Sequence, residues 1–321
     1  MSHNVKITPS DIIFQSEENV LQDALDSDIV LEHSCMNGDC GVCETRLVEG
    51  KVENDKGEVI VGGSILTCKT RPLTDIVIEA NFFPELAKLP QQTLPCKVSS
   101  ISFPANDIAI LRLRYPPSAN FEYMAGQYLE LIYKGVKRSY SIANIPDDTK
   151  EIELHIRKVS NGQMSDLIFD GLREGQLMRT EGPKGTFFVR PATRPLIFLA
   201  TGTGIAPVKA MVEHLVHSRD ERSITVYWGM RTPDEIYSEE FIQFTRLNKR
   251  IVFVPVLSRS PEWDGRTGYV QNAVVEDVPN LEHHDVYACG SLSMIESSKC
   301  LFSNHKLPPK HFYSDAFTPS K

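Results

Sequence analysis

Cys35, Cys40 and Cys43 crowd into nine residues, and Cys68 follows after 24 more. No other feature constrains the chain as tightly. A CxxxxCxxC run must close into a tight loop that aims three thiolates to one side, and a fourth must be brought to them from elsewhere. This is the spacing of a 2Fe-2S site. Gly38 and Gly41 permit the turn and let backbone amides approach the sulfurs. A structural zinc ion is the rival reading, but zinc sites usually pair cysteines two to four apart at both ends, and Cys68 stands alone.

The remaining cysteines, Cys96, Cys289 and Cys300, are scattered. Clustering favours metal over disulfide, and the N-terminal ten residues contain no apolar leader run, so a cytoplasmic protein is expected. No apolar run approaches the roughly 18–20 residues that span a bilayer, which argues against membrane insertion. The net charge of −8 is uneven. Residues 1–90 hold 7 Lys+Arg against 16 Asp+Glu, a balance of −9 that leaves +1 for the rest. Such acidity speaks against nucleic acid, whose phosphates need clustered Lys and Arg. It serves solubility or steers the chain toward a basic face on a protein electron acceptor.

Periodicity divides the chain into 1–90, 91–192 and 193–321. Short strands over 5–7 and 12–14 and a helix over 20–25 suit a small mixed sheet of β-grasp type. Residues 87–95 have the composition of a linker. β-rich alternations at 95–100, 108–115, 127–133 and 151–159, with a helix only at 165–172, suggest an antiparallel barrel. Apolar runs at 196–200, 224–228, 251–257 and 286–289, alternating with helices, read as a parallel α/β sheet. The fold class is thus multidomain, α+β and α/β. Between the first two α/β elements, Gly202-Thr203-Gly204 leads into a helix over 208–216 with Pro207 in its first turn. There backbone amides can meet a pyrophosphate.

Arg138-Ser139-Tyr140-Ser141, five residues before Pro146, resembles the flavin signature of the ferredoxin–NADP reductase superfamily. Companion segments follow in order. His155-Ile156-Arg157 and Gly162 to Ser165 look like its flavin-ribityl and pyrophosphate segments, the latter opening a helix at 166, and residues 181–187 resemble its inter-domain turn. The resemblance implies that Arg138 pairs with the FAD pyrophosphate, Tyr140 packs on the isoalloxazine and Ser141 hydrogen-bonds near N5. The residue types suit those roles, since Arg brings charge-assisted donors, Tyr a flat face and Ser a small hydroxyl.

The same resemblance extends to the nicotinamide site, although Thr201 stands where a glycine is common. Gly229, Arg231 and Tyr237 match the adenosine-ribose region; Cys289, Gly290 and Ser291 match the nicotinamide shelf. Cys289 is either near the reacting carbon or simply a buried strand-end thiol. At the C-terminus, residues 314–321 resemble a closing segment in which Phe317 lies against the flavin and Asp315 approaches it; an edge strand is the alternative. Arg231 is the one cation in 229–237, with Asp234 and Glu235 beside it, so NADH is expected ahead of NADPH. His283-His284 reads as a solvated loop pair, and Cys96 and Cys300 as structural.

The order ferredoxin, flavin barrel, nicotinamide domain is shared with reductase components of bacterial oxygenases. Segments 138–146, 181–190, 227–230, 286–295 and 314–321 are most similar to the reductases of 3,6-dideoxyhexose formation in surface polysaccharide. What this implies is an NAD(P)H-dependent oxidoreductase holding FAD and a 2Fe-2S cluster at Cys35, Cys40, Cys43 and Cys68. Its acceptor would be a pyridoxamine-phosphate-dependent dehydrase, or an aromatic-ring oxygenase in the alternative. Compared with other ferredoxin domains, the stretch between Cys43 and Cys68 is short, which places a trimmed loop at 50–63.

Overall fold

Val5 and Ile7 alternate with polar neighbours, and this period of two makes His3–Thr8 a strand with one buried face. The computed structural model describes residues 1–147 and 149–317. They belong to two units, Met1–Pro90 and Gln91–Lys321. In the first, His3–Thr8 pairs antiparallel with Ile12–Ser16 and parallel with Ile76–Glu79. Glu44–Glu49 and Gly63–Leu66 complete a five-stranded mixed sheet. Helix Val20–Asp26 buries Val20, Leu21 and Ala24 in the same core, and the Asn19 side chain caps it by accepting the Gln22 N–H. Residues 50–63 are short but ordered. Val52–Asn54 pairs with Val59–Ile60 and with Thr70–Pro72 in a second small sheet.

The linker is shorter than composition suggests: of residues 87–95, Ala87 ends helix Pro84–Ala87 and Gln92 opens the long strand Gln92–Ala105, which leaves 88–91 between them. Pro95 is tolerated there for a physical reason. It pairs only with Arg179 on one side, and the partner on the other side is joined first at Lys97. Six antiparallel strands follow the order Val136–Ser141, Tyr128–Tyr133, Leu177–Lys184, Gln92–Ala105, Ile108–Arg114, Glu151–Arg157. A bridge from Ile142 to Leu154 closes them into a barrel. Residues 181–184 extend a strand rather than turning, so the turn falls at Gly185, whose φ is +85°. Lys184 on that strand and Lys137 on strand Val136–Ser141 both pair with Glu181 and hold its carboxyl down at about 2.

Beyond the barrel, the apolar runs form a six-stranded parallel sheet. The chain enters at Leu196–Thr201, steps outward through Ile224–Met230, Ile251–Leu257 and Arg266–Thr267, then returns to the other side with Asp285–Ser291 and Phe312–Phe317. Helices cover the sheet, and the strands are buried on both faces, as parallel strands are. Among the described residues no helix is long and apolar enough to cross a membrane.

Candidate functional site

The cysteine loop, residues 32–43, has no regular structure and turns through left-handed backbone at Met36, Gly38 and Gly41. At Gly38 the requirement is twofold. Its φ is +88°, and an added Cβ would lie 2.8 Å from the Lys69 stem. The loop meets the 3-10 turn Thr67–Lys69, which carries Cys68 and is anchored by the Asn19 amide donating to the Cys68 carbonyl at 2.8 Å.

The sulfurs gather in two pairs. Cys43 Sγ and Cys68 Sγ are 3.1 Å apart, and Cys35 Sγ accepts the Cys40 N–H at 3.4 Å while sharing a proton with the Cys40 thiol. In each pair the shared hydrogen bond favours the anion on one sulfur. The Cys40 thiol, joined by amides of Asn37, Cys40 and Asp39, brings Cys35 down to about 5, and Cys68 brings Cys43 down to about 7. Their partners are pushed up by the same shared protons. All seven cysteines are free of disulfides. Two cysteine pairs fit two irons that each take two thiolates, with the protons displaced on binding.

In the second unit, Arg138 and Tyr140 share one face of strand Val136–Ser141, because positions two apart in a strand point the same way. Tyr140 packs on the barrel core, and burial pushes its hydroxyl up to about 12. Arg138 donates to the Lys137 carbonyl at 2.7 Å, and Ser141 is buried at the strand end. Gly162 precedes helix Gln163–Phe169, which starts three residues earlier than the sequence suggests; Ser165 therefore lies inside its first turn and accepts the Val159 N–H at 2.9 Å. This set offers a flat ring, a guanidinium and a buried hydroxyl on one strand, which fits a flavin.

The parallel sheet supplies the other half. Its order reverses between strands Leu196–Thr201 and Asp285–Ser291, and crevices of α/β sheets open at such a switch. A cavity of about 720 Å³ lies there, lined by Arg157, Gly202, Thr203, Gly229, Arg231, Ser291 and Phe317 among the expected residues. Thr201, Met230, Glu235, Tyr269, Gln271, Ser293 and Met294 join them. Gly204 and Pro207 sit behind the loop. A Cβ on Gly204 would lie 2.2 Å from the Cys289 carbonyl, and Pro207 is in the first turn of helix Ile205–His217. Thr201, the departure from the usual glycine, accepts the Ser291 N–H at 3.2 Å, and Gly290 must lack a side chain because a Cβ there would meet Thr201 Oγ1. Trp228 holds the loop from below, its indole N–H donating to the Gly202 carbonyl at 2.9 Å.

Other expected residues lie off the cavity lining. Cys289 is wholly buried, and burial, then Asp315 beside it in register, raises its thiol. Asp315 is buried on strand Phe312–Phe317, while Phe317 is 39% exposed at the cavity rim. Residues 318–321 of the closing segment lie outside the described residues. His155 and Tyr237 turn inward: His155 Nδ1 meets the Tyr237 hydroxyl and Nε2 meets Glu153, both at 3.0 Å. His283 is exposed, but His284 is half-buried, with its carbonyl held by Arg194.

Arg231 is the one cation of 229–237, but Arg157 joins it at the cavity wall, and both are neutralised. Arg157 pairs with Asp107 at 2.8 Å and Glu235 at 3.3 Å, and Arg231 pairs with Glu235 and, at 3.7 Å, with Asp107. Asp107 carried no signal in the sequence, being a turn residue between strands Gln92–Ala105 and Ile108–Arg114.

Two outcomes follow. NADH should show the higher kcat/KM, because a 2′-phosphate would have to displace Glu235 from Arg231. Glu235→Gln should raise kcat/KM for NADPH relative to NADH by about tenfold, one charge-assisted hydrogen bond's worth; an unchanged ratio would refute the neutralisation. Cys68→Ser should weaken or abolish 2Fe-2S absorbance while leaving flavin content and NADH-driven flavin bleaching intact. Retention of normal cluster absorbance would refute the ligand set.

Comparison with known proteins gives three family matches. Residues 5–73 match the 2Fe-2S iron-sulfur cluster binding domain, 95–189 the oxidoreductase FAD-binding domain and 198–299 the oxidoreductase NAD-binding domain. The chain is 48% identical, over its whole length and that of the relative, to the CDP-6-deoxy-L-threo-D-glycero-4-hexulose-3-dehydrase reductase of Yersinia pseudotuberculosis. It is 50% identical to Protein RfbI of Salmonella typhimurium, over all of this chain and 98% of that one. Identity to terephthalate 1,2-dioxygenase reductase component 1 of Comamonas is 33%, covering 100% of this chain and 98% of that one. The crystal structure of the Amycolatopsis cytochrome P450 reductase GcoB superposes with a TM-score of 0.79 at 26% identity, covering 99% of this chain and 100% of that one. With cysteine pairs, flavin strand and switch-point cavity present in one chain, and relatives of nearly half identity over its full length, the chain belongs to the CDP-6-deoxy-hexulose-3-dehydrase reductase family of the ferredoxin–NADP reductase superfamily.

Proposed function

We propose that the protein passes electrons from NAD(P)H through FAD and a 2Fe-2S cluster to a pyridoxamine-phosphate-dependent dehydrase that makes a CDP-4-keto-3,6-dideoxyhexose for surface polysaccharide. The observation that carries this reading is full-length identity of 48% and 50% to reductases of that group, against 33% for the oxygenase reductase. When bound, the nicotinamide supplies a hydride, and the flavin converts it to single electrons that the cluster can take.

The chain's own residues divide the work. Arg138 pairs with the FAD pyrophosphate, Tyr140 gives the ring a dry face, and Ser141 donates near N5. The segment His155 to Arg157 and the turn Gly162 to Ser165 hold the ribityl and phosphate portion. Gly202, Thr203, Gly204 and Pro207 present amides to the dinucleotide, and Gly229, Arg231 and Tyr237 border its adenosine end. Cys289, Gly290 and Ser291 form the nicotinamide shelf, where the neutral, buried Cys289 excludes water. Phe317 covers the flavin, with Asp315 behind it. Residues 1–90 work as the one-electron module, 91–192 as the flavin lobe and 193–321 as the nicotinamide lobe. Seven free cysteines suit the cytoplasm.

The partner decides between this reading and an oxygenase reductase. The full-length holoprotein, mixed with purified dehydrase and its CDP-6-deoxy-4-hexulose substrate, should consume NADH in proportion to 3-deoxy product. Equal or faster coupling to an aromatic dioxygenase, with none to the dehydrase, would reverse the assignment.

A further inference from the structure

Lys209 is 7% exposed on helix Ile205–His217, in a run where residues 205–212 are all buried. A charge there needs an explanation, because taking an ammonium out of water costs several kcal/mol, and a Met of similar length would fill the space. Its surroundings supply one. Lys209 Nζ donates to the Ala143 carbonyl at 3.0 Å and faces Glu153 Oε1 at 3.3 Å and Glu213 Oε1 at 3.1 Å. Of the three donors an ammonium has, Ala143 and Glu213 accept two, and the Glu153 carboxylate balances its charge.

Those acceptors belong to both lobes of the second unit. Ala143 lies two residues past Ser141 at the end of the flavin strand, and its own N–H donates to the Glu153 carbonyl at 2.8 Å. Glu153 in turn takes Arg112 Nε and His155 Nε2, each at 3.0 Å, and the far side of His155 meets Tyr237 of the parallel-sheet lobe. Lys209 itself stands one helical turn beyond the Gly202–Gly204 loop. The backbone that carries Ser141 and the helix that carries the dinucleotide loop are therefore fastened to one another through this side chain, beside the apolar core that Ala125 and Phe187 share with Val208 and Met211.

We infer that Lys209 is a positioning residue for hydride transfer: by clamping the Ala143 carbonyl to helix Ile205–His217 it sets the distance between the flavin face at Ser141 and the nicotinamide shelf. The inference rests on the placement of flavin and nicotinamide proposed above. Hydride transfer needs its reacting atoms about 3–3.5 Å apart, and a misplacement of about 1 Å can cost on the order of 10²-fold in rate.

The test is stopped-flow reduction of the full-length holoprotein by NADH, with the rate expressed per bound FAD. Lys209→Met should lower the limiting rate at least about tenfold with the apparent NADH Kd within about twofold, and Lys209→Arg, which keeps donors for the same acceptors, should recover much of it. A residue that merely stabilised the fold would lower FAD content and Tm and leave the rate per bound flavin unchanged. If Lys209→Met does not hold flavin, Lys209→Met with Glu213→Gln removes the charge left behind and still strips the Ala143 carbonyl of its donor. The same loss is expected there, and a wild-type rate in either variant overturns the clamp. Ser141→Ala separates the two ideas. If it slows reduction while both Lys209 variants run at the wild-type rate, the flavin placement stands and the clamp is wrong; if none of them changes the rate, both are wrong.

Discussion

The backbone of Cys289 occupies the space that a side chain at position 204 would need, and much of the nicotinamide lobe follows from that contact. A Cβ on Gly204 would lie 2.2 Å from the Cys289 carbonyl oxygen, and one on Gly290 would lie 2.1 Å from Thr201 Oγ1. Strand Asp285–Ser291 thus interlocks at its C-terminal end with Thr201 and the glycine loop that follows it, the Cys289 carbonyl against Gly204 and the Thr201 hydroxyl against Gly290. The loop Gly202–Gly204 is held from below by Trp228 and from the side by strand Asp285–Ser291. A cavity with so rigid a floor can present amides to a dinucleotide without reorganising them.

Charge in the second unit is used in closed sets. Arg157 and Arg231 are matched by Asp107 and Glu235 at the cavity wall, and Lys209 is matched by Glu153 and Glu213 between the lobes. The partly exposed arginine pairs contribute little to stability, since solvent screens them, whereas the Lys209 set is buried. Their weight falls on geometry and selectivity. The first unit is different, with −9 spread over residues 1–90 and no compensating surplus of Lys or Arg. That asymmetry suits a module that meets other proteins through long-range steering.

Local signals in the sequence carried most of the fold and part of the site. The cysteine spacing, the strand period and the glycine loop each depend on residues close in sequence, and the sheet order and sulfur pairing agree with them. What the sequence hid depends on distance. Residues 87–95 look like a linker by composition, yet a one-sided partner lets Pro95 sit in a strand. His155 and Tyr237 belong to cofactor-type segments, but their side chains find each other across 82 positions. Asp107 neutralises two arginines from a turn with no motif, and Lys209 reads as one more polar residue on an amphipathic helix until Ala143 is found beside it.

The central claim is the order of electron flow, nicotinamide to flavin to cluster, with the exit through Cys35, Cys40, Cys43 and Cys68. One equivalent of NADH, added anaerobically to the full-length holoprotein, tests it by stopped-flow at the flavin band and freeze-quench EPR of the reduced cluster. Flavin bleaching should come first, at a rate that rises with NADH concentration. The cluster signal should follow at a rate that does not, and should be absent from FAD-depleted protein. A cluster signal that precedes the bleaching, or that persists without FAD, would contradict the account.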